Sequence, residues 1–173
     1  VFIHQVVYPV YFKHLGMSDG LSQVSVMSIY QDCLGRMWFG TREGVSIYDG
    51  ERMRVYKGWE NLDPESSINV LLGHECDHLT GNRQGDIFFR TCDSLVRYDI
   101  REEKFCVVSG CKAKTITSAD GDIWTGYDDM VCRYDEKGDS LQLYAKTNTP
   151  GISSLLISGK KIWIGTYEGL YVI

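Results

Sequence analysis

Apolar and polar positions alternate along this chain in short runs, and a glycine or an aspartate interrupts each run. A period of two residues is typical of β-strands, and Gly or Asp at the breaks is typical of hairpin turns. No window of twelve residues carries the 3.6-residue apolar stripe of an amphipathic helix. The sequence therefore predicts an all-β chain. The clearest unit contains four such runs, at 24–31, 37–41, 45–48 and 53–56.

The same unit occurs four times, each time around one aromatic residue, which we call the anchor. The anchors lie 50, 36 and 39 residues apart and are Trp38, Phe88, Trp124 and Trp163. An aliphatic residue follows seven positions after each anchor, at Val45, Leu95, Val131 and Leu170. A tyrosine followed by an aspartate lies ten positions after the first three anchors, at Tyr48, Tyr98 and Tyr134. Matches at fixed offsets indicate a true internal repeat.

Hairpins in units of about 40 residues are typical of the four-stranded blades of a β-propeller. We therefore predict about four blades, each of four antiparallel strands, and interpret the chain as a fragment of a larger propeller. Each anchor is expected to pack between neighbouring blades, and each repeat tyrosine to keep its hydroxyl on water or a carbonyl. Three glycines should leave room for an adjoining ring or backbone, namely Gly40, Gly126 and Gly165. The predicted units are 21–58, 66–109, 113–146 and 150–173, with inner strands at 67–72 and 152–157 and a candidate closing strand at 8–15.

Charge and composition make several functions unfavourable. The net charge of −5 disfavours a nucleic-acid surface, because phosphate binding needs clustered Lys and Arg. No run approaches the roughly 20 apolar residues that a membrane-spanning helix needs. The six cysteines match no zinc spacing, and we interpret them as buried free thiols. One or two disulfides in an oxidising compartment are the alternative.

The segment from His74 to His78 reads His-Glu-Cys-Asp-His and matches the H-E-x-x-H motif of zinc proteases. That motif requires a helix, but this segment is expected in a strand, where the two histidines lie roughly 13 Å apart. The acidic turns at 120–122 and 128–129 lack the longer alternation of oxygen ligands in a calcium loop, so we expect solvated turn residues there. Neither G-x-S-x-G nor a phosphate loop is present. We therefore expect no catalytic site, metal or cofactor in this chain.

Trp59 lies in a polar loop, 58–64, which accounts for the longer spacing between the first two anchors. Inserted loops commonly face a binding surface, and an exposed tryptophan can stack on a sugar ring. Trp59 is therefore the ligand-contact residue that the sequence suggests. The alternative is a loop residue that packs on its own blade.

The stretch 24–50 resembles the two-component regulator propeller repeat, and 162–170, Ile-Trp-Ile-Gly-Thr-Tyr-Glu-Gly-Leu, is similar to the same signature. The lead-in at 12–22 resembles the start of the periplasmic sensor domains that carry this repeat, in hybrid two-component systems of polysaccharide-degrading gut bacteria. The second unit departs from the repeat at Phe88, which replaces Trp, and at Arg90, which replaces Gly. The third departs at 129–130, where Asp-Met replaces Glu-Gly.

The resemblance implies a non-catalytic, periplasmic ligand-sensing module of a hybrid two-component receptor whose parent protein is a sensor histidine kinase. Such receptors sense oligosaccharides and regulate polysaccharide utilisation. A freestanding carbohydrate-binding β-propeller is the alternative. The expected partners are an oligosaccharide and the rest of the receptor chain, and not nucleic acid. Exposed blade faces at the two ends of the array should also make the chain self-associate.

Overall fold

The computed structural model describes residues 11–57, 74–92 and 94–173. Within these ranges the chain forms fifteen β-strands and one short 3₁₀ turn, Met17–Asp19. The all-β prediction is therefore confirmed.

The strands form four consecutive units, which we call blades 1 to 4 in chain order. Blade 1 contains β1 (Val26–Gln31), β2 (Met37–Thr41), β3 (Gly44–Tyr48) and β4 (Met53–Tyr56). Blade 2 contains β5 (Cys76–Gly81), β6 (Ile87–Thr91), β7 (Ser94–Asp99) and β8 (Lys104–Lys112). Blade 3 contains β9 (Thr115–Ala119), β10 (Asp122–Tyr127), β11 (Met130–Asp135) and β12 (Ser140–Lys146). Blade 4 contains β13 (Ile152–Ser158), β14 (Lys161–Thr166) and β15 (Gly169–Val172).

Successive strands of a blade pair antiparallel and in chain order. A single parallel pair, between Ser109 and Ser140, also joins the outer strands of blades 2 and 3. Each of the first three blades is thus a four-stranded antiparallel sheet, as the repeat predicts.

Asp32 closes the turn between β1 and β2 and also holds the first anchor. Its Oδ1 accepts hydrogen bonds from the backbone N–H of Leu34 at 3.0 Å and of Arg36 at 2.9 Å. Its Oδ2 accepts from the Trp38 indole at 2.8 Å and from Arg36 Nε at 2.7 Å. Burial raises the pKa of this carboxyl, but the hydrogen bonds from Trp38 and Arg36 outweigh burial and lower the pKa below its usual value. Asp32 therefore both stabilises the turn and fixes the orientation of the anchor ring.

Three hydrophobic clusters hold the blades together, and each is shared by two neighbouring blades. Trp38 of blade 1 is fully buried and meets Tyr98 of blade 2 edge to face, with ring centroids 4.9 Å apart. Phe88 of blade 2 meets Tyr134 of blade 3 in the same way at 4.8 Å. Trp124 lies in the cluster that blade 3 shares with blade 4. The prediction that these anchors pack between blades is confirmed.

Two of the three repeat glycines lie where a neighbouring blade approaches. A Cβ on Gly40 would collide with the backbone carbonyl of Cys76 in blade 2, and one on Gly126 would lie 2.5 Å from Cγ2 of Ile152 in blade 4. Gly165 is different, because its added Cβ would meet Ser154 of its own blade. The expectation of room for an adjoining ring or backbone is thus confirmed at Gly40, and wrong at Gly126 and Gly165, whose neighbours are side chains without rings.

Other expectations from the sequence have mixed outcomes. Tyr48 donates its hydroxyl to the carbonyl of Gly50 at 2.5 Å, but Tyr134 donates to the Asp139 carboxylate at 2.5 Å, which corrects the expected carbonyl or water. Among the described residues the Tyr98 hydroxyl has no hydrogen-bond partner.

The predicted inner strand at 67–72 lies outside the described residues; the strand that pairs with β6 is β5. Of the candidate closing strand, 11–15 lies outside every strand and 8–10 lies outside the described residues.

Candidate functional site

The turns of each blade lie at the two opposite ends of its strands. We call the end that carries the turn between the second and third strands the upper rim, and the end that carries the turn between the first and second strands the lower rim. Along the upper rim, Gly44 N donates to His74 O at 3.2 Å, which ties blade 1 to the start of blade 2. In the same way Gly151 N donates to Asp128 O at 3.0 Å, which ties blade 4 to blade 3.

A threonine organises the upper-rim turn in the blades that follow the repeat closely. In blade 1, Thr41 Oγ1 accepts from the N–H of Glu43 at 3.1 Å and donates to the carbonyl of Gly44 at 3.0 Å. In blade 4, Thr166 makes the same two bonds, at 3.2 Å and 3.0 Å. This threonine is a scaffold residue, because its hydroxyl satisfies the backbone of a tight turn.

Two tyrosines depart from that turn pattern. Tyr127 of blade 3 takes the place of the threonine, and Tyr167 of blade 4 takes the next place, where the other blades carry Arg42, Cys92 and Asp128. Tyr167 is 78% exposed. A large aromatic side chain that a turn does not need, and that water surrounds, is a signal of binding.

Both tyrosines line one groove at the boundary between blades 3 and 4. The groove has a volume of about 180 Å³, and its other lining residues are Lys114, Asp128, Gly151 and Ile152. The Lys112 ammonium lies 5.6 Å from the centroid of the Tyr127 ring, which is the geometry of a cation–π contact. Two independent departures from the repeat therefore meet at the same place on the upper rim.

The backbone holds this groove in a fixed shape. The carbonyl of Asp128 accepts from the N–H of Gly151 at 3.0 Å and of Ile152 at 2.9 Å, so the floor belongs to both blades. Gly151 has a φ of +92°, and a Cβ there would lie 2.7 Å from Cδ2 of Tyr167. Only glycine allows this turn and this ring to coexist.

The groove combines apolar surface with groups that form hydrogen bonds. Its tyrosine rings offer flat apolar faces, its Asp128 carboxylate accepts hydrogen bonds and its Lys114 ammonium donates them. Such a surface suits a ligand that has an apolar ring face and several hydroxyl groups.

The H-E-x-x-H segment does not form a metalloprotease site. Its last three residues, 76–78, lie in strand β5 (Cys76–Gly81), so the strand prediction is confirmed for that part of the segment, whereas 74–75 lie just before the strand. His78 has a φ of +54° within a register shift, and its Nδ1 lies 2.9 Å from Asp77 Oδ1. The second histidine therefore already has a carboxylate partner in the strand.

The acidic turns have cationic partners among the described residues. Asp122 lies 2.7 Å from Arg133 Nη2, and Asp129 lies 3.7 Å from Lys146 Nζ. These pairs involve one aspartate of each turn, and no cluster of three or more metal-ligating side chains occurs in 11–57, 74–92 and 94–173.

The thiols follow the sequence interpretation only in part. Cys33 and Cys92 are exposed, whereas Cys76 and Cys132 are buried. Burial raises the pKa of the Cys76 thiol to about 12, which is the behaviour of an inert core thiol. The interpretation as buried thiols is thus wrong for the two exposed residues.

An ion pair at Asp77 and Arg90 is a second polar cluster in blade 2. Arg90 takes the place of the glycine that the other units carry, and its Nε donates to Asp77 Oδ1 at 2.8 Å, with a further bond from Nη2 to Oδ2. Burial raises the pKa of Asp77, but hydrogen bonds from His78 and Arg90 outweigh burial and hold the pKa at about 2. Because the acidic and basic groups of this cluster bond to each other, we assign the cluster a role in the stability of blade 2.

A depression on the lower rim is also explained by structure. It has a volume of about 160 Å³ and lies between blades 2 and 3. Arg97 occupies it and bonds to Asp86 at 3.1 Å, to Asp99 at 3.0 Å and to Asp139 of blade 3 at 3.2 Å. These charges join two blades, so we assign this depression to stability.

Trp59, the ligand contact suggested by the sequence, lies outside the described residues and stays a prediction. The sequence reasoning missed Tyr127 and Tyr167. Aligning the four upper-rim turns position by position could have found them, because both stand where the repeat carries small or polar residues.

Comparison with known proteins places this geometry in context. No protein-family model matches the chain. A stretch of 59 residues is 41% identical to histidine kinase P4 of Formosa agariphila, covering 34% of this chain and 4% of that protein. The extracellular domain of a putative hybrid two-component system from B. thetaiotaomicron superposes with a TM-score of 0.77 at 24% identity, over 93% of this chain and 25% of that chain. The WD40 β-propeller domain of Doa1 superposes with a TM-score of 0.55 at 16% identity, over 79% of this chain and 45% of that chain.

The chain has the β-propeller fold. The resemblance to two-component receptors that the repeat predicts is confirmed, since the chain is similar in sequence to part of a histidine kinase and in fold to the extracellular domain of a putative hybrid two-component system. The propeller chain spans only 4% of the kinase and a quarter of the extracellular domain that it matches. No helix in the described part of the propeller is long and apolar enough to span a membrane.

Proposed function

We propose that this propeller is an extracytoplasmic, non-catalytic sensing module of a hybrid two-component receptor, located in the periplasm, and that the Tyr127–Tyr167 groove binds an oligosaccharide. The relationship to a histidine kinase is the observation that carries the receptor assignment. The likeness to an extracellular receptor domain agrees with it. In this proposal the kinase chemistry belongs to the parent protein, and the propeller supplies ligand recognition.

The chemistry of the groove supports an oligosaccharide. A sugar ring has a face of C–H groups, which suits the Tyr127 and Tyr167 rings, and a rim of hydroxyls, which suits Asp128 and Lys114. Since the groove lies between two blades, a bound sugar would contact both of them. It would therefore favour the blade arrangement that binds it better, and only that difference in affinity can shift the receptor toward another state.

The groove can be tested with substitutions that restore the repeat. Tyr127→Thr supplies the threonine of blades 1 and 4, and Tyr167→Asp supplies the residue that blade 3 has at that place. Because both replacements suit the turn, we expect the fold to survive. Each should weaken binding of an oligosaccharide found by panel screening at least about ten-fold, or about 1.4 kcal/mol, in isothermal titration calorimetry. In the parent receptor, both should shift ligand-dependent autophosphorylation to higher sugar concentration.

Tyr11→Ala is the matched control, because Tyr11 is 88% exposed and does not line the groove. Trp59→Ala tests the other candidate contact in the same titration. If no sugar in the panel binds, the ligand proposal fails; if the two groove variants bind as tightly as the wild type, the groove is excluded. Sugar binding without any change in phosphorylation of the parent would instead favour a freestanding carbohydrate-binding propeller.

A further inference from the structure

The charges beside the Tyr127–Tyr167 groove are mainly positive. Lys114 lines the groove, and the Lys112 ammonium lies 5.6 Å from the centroid of the Tyr127 ring. The acidic residue in the lining is Asp128. Two basic side chains and one acidic side chain therefore lie at this place, on a chain whose net charge is −5.

The backbone fixes both lysines beside the groove. They stand on either side of Ala113, which is fully buried in the cluster shared by blades 2 and 3, and both lysine side chains are exposed. Lys112 ends strand β8, and the Lys114 N–H donates to the carbonyl of Gly126 at 2.8 Å. Because these contacts belong to blades 2 and 3, which have a neighbouring blade on each side, the position of the lysines does not depend on the ends of the array.

Neither lysine has an ion-pair partner among the described residues. By contrast Lys146, at the same end of blade 3, pairs with Asp129 at 3.7 Å. Lys112 contacts the face of the Tyr127 ring instead. Since two like charges at one place repel each other, a bound anion would offset this repulsion.

Two depressions of the lower rim have the opposite balance of charge. The one at Arg97 is lined by one basic and three acidic side chains, namely Arg97, Asp86, Glu136 and Asp139. The other, of about 240 Å³, is lined by two basic and three acidic side chains, namely Arg133, Lys137, Asp122, Asp135 and Glu136. Of these three places only the groove, together with Lys112, has more basic than acidic side chains, so an anionic ligand favours the groove.

We propose that the oligosaccharide bound in the groove is acidic, and that Lys112 and Lys114 bind its carboxylate or sulfate group. The inference rests on the proposed function, since it specifies the ligand of the same groove. The Lys112 ammonium covers one face of the Tyr127 ring, so that face is not free to stack on a sugar, whereas the ammonium itself can pair with an acidic group. The Asp128 carboxylate then accepts hydrogen bonds from sugar hydroxyls.

Isothermal titration calorimetry of the 173-residue chain tests the proposal with matched pairs of oligosaccharides. Uronic-acid oligosaccharides are compared with their methyl esters, and sulfated oligosaccharides with their desulfated forms, so that carboxylate and sulfate are tested separately. At least one acidic form should bind at least about five-fold more tightly than its neutral partner. The affinity for that acidic form should fall as NaCl rises from about 50 mM to about 500 mM, because salt screens exposed charges.

The double variant Lys112→Gln with Lys114→Gln removes both charges at exposed positions, so we expect it to fold. In this variant the preference for the acidic form over its neutral partner should shrink at least about five-fold. Lys160→Gln is the matched control, because Lys160 is exposed and lies on the opposite rim, in the turn between β13 and β14. It should keep the preference of the wild type.

The possible results separate this inference from the proposed function. Neutral forms that bind as tightly as the acidic forms, with binding that Tyr127→Thr weakens, overturn the inference and leave the proposed function intact. A preference for the acidic form that persists in the double lysine variant also overturns the inference. If neither form of any pair binds, the proposed function fails and the inference fails with it. Circular dichroism of each variant establishes that it is folded.

Discussion

At the scale of single residues, the three repeat glycines should respond differently to the same substitution. The Cβ of Gly40→Ala meets the backbone carbonyl of Cys76, which cannot move without shifting β5, so we expect a loss of about 3 kcal/mol in unfolding free energy. The Cβ of Gly126→Ala meets side-chain methyl groups of Ile152 and Thr115, and should cost about 1–2 kcal/mol. Gly165→Ala meets only serine side chains of its own blade, so its stability should stay within about 0.5 kcal/mol of the wild type. Urea unfolding of the three variants measures the differences.

Gly165→Ala serves as the internal control for this series, because it carries the same loss of chain freedom in the unfolded state as the other two. Equal losses at all three positions would mean that the repeat glycines act through backbone flexibility. The interpretation based on blade contacts would then be wrong.

Residue roles were predictable where they depend on the repeat alone. Trp38, Phe88 and Trp124 lie between blades because a large apolar side chain at a fixed offset must face the same neighbour each time. The bond from the Trp38 indole to Asp32 was not predictable, because the partners lie six residues apart across a turn whose closure had to be known first. Tyr167 was missed for another reason, since a binding residue is a departure from the repeat and not an instance of it.

At the scale of strands, the predictions succeed where strand and turn signals agree. In blade 1, β2 and β4 have the predicted bounds, because Gly or Asp marks each turn. Strand β5 is harder to predict, since Asp77 and His78 interrupt its apolar pattern. These polar groups are tolerated because Arg90 of β6 pairs with Asp77 across the two strands, a contact that hydrophobic patterning does not reveal.

The Asp77–Arg90 pair of β5 and β6 should make the stability of the protein depend on pH in the acid range. The pKa of Asp77 is about 2 in the folded chain, against about 3.9 for an unfolded aspartate. The lowered pKa contributes stability above about pH 4, and this contribution is lost as the pH falls from about 4 to about 2. The gap in unfolding free energy between the wild type and Asp77→Asn should therefore narrow by about 2 kcal/mol over that range. Urea unfolding at a series of pH values measures this gap.

Leu34→Ala provides the control for this pH series, because Leu34 is 66% exposed and carries no titrating group. Its difference from the wild type should be independent of pH. A gap between the wild type and Asp77→Asn that stays constant down to about pH 2 would show that the ion pair contributes no linkage.

At the scale of the whole molecule, stability should be unequal along the array, because among the described residues blades 2 and 3 pack against a neighbouring blade on both faces and blades 1 and 4 on one. Strands β2, β6, β10 and β14 allow a matched comparison, since each is hydrogen-bonded on both edges. In hydrogen exchange at low protein concentration, β6 and β10 should exchange more slowly than β2 and β14. Equal exchange in all four strands would mean that the chain unfolds as one cooperative unit, so that an uncovered face does not lower the stability of its own blade.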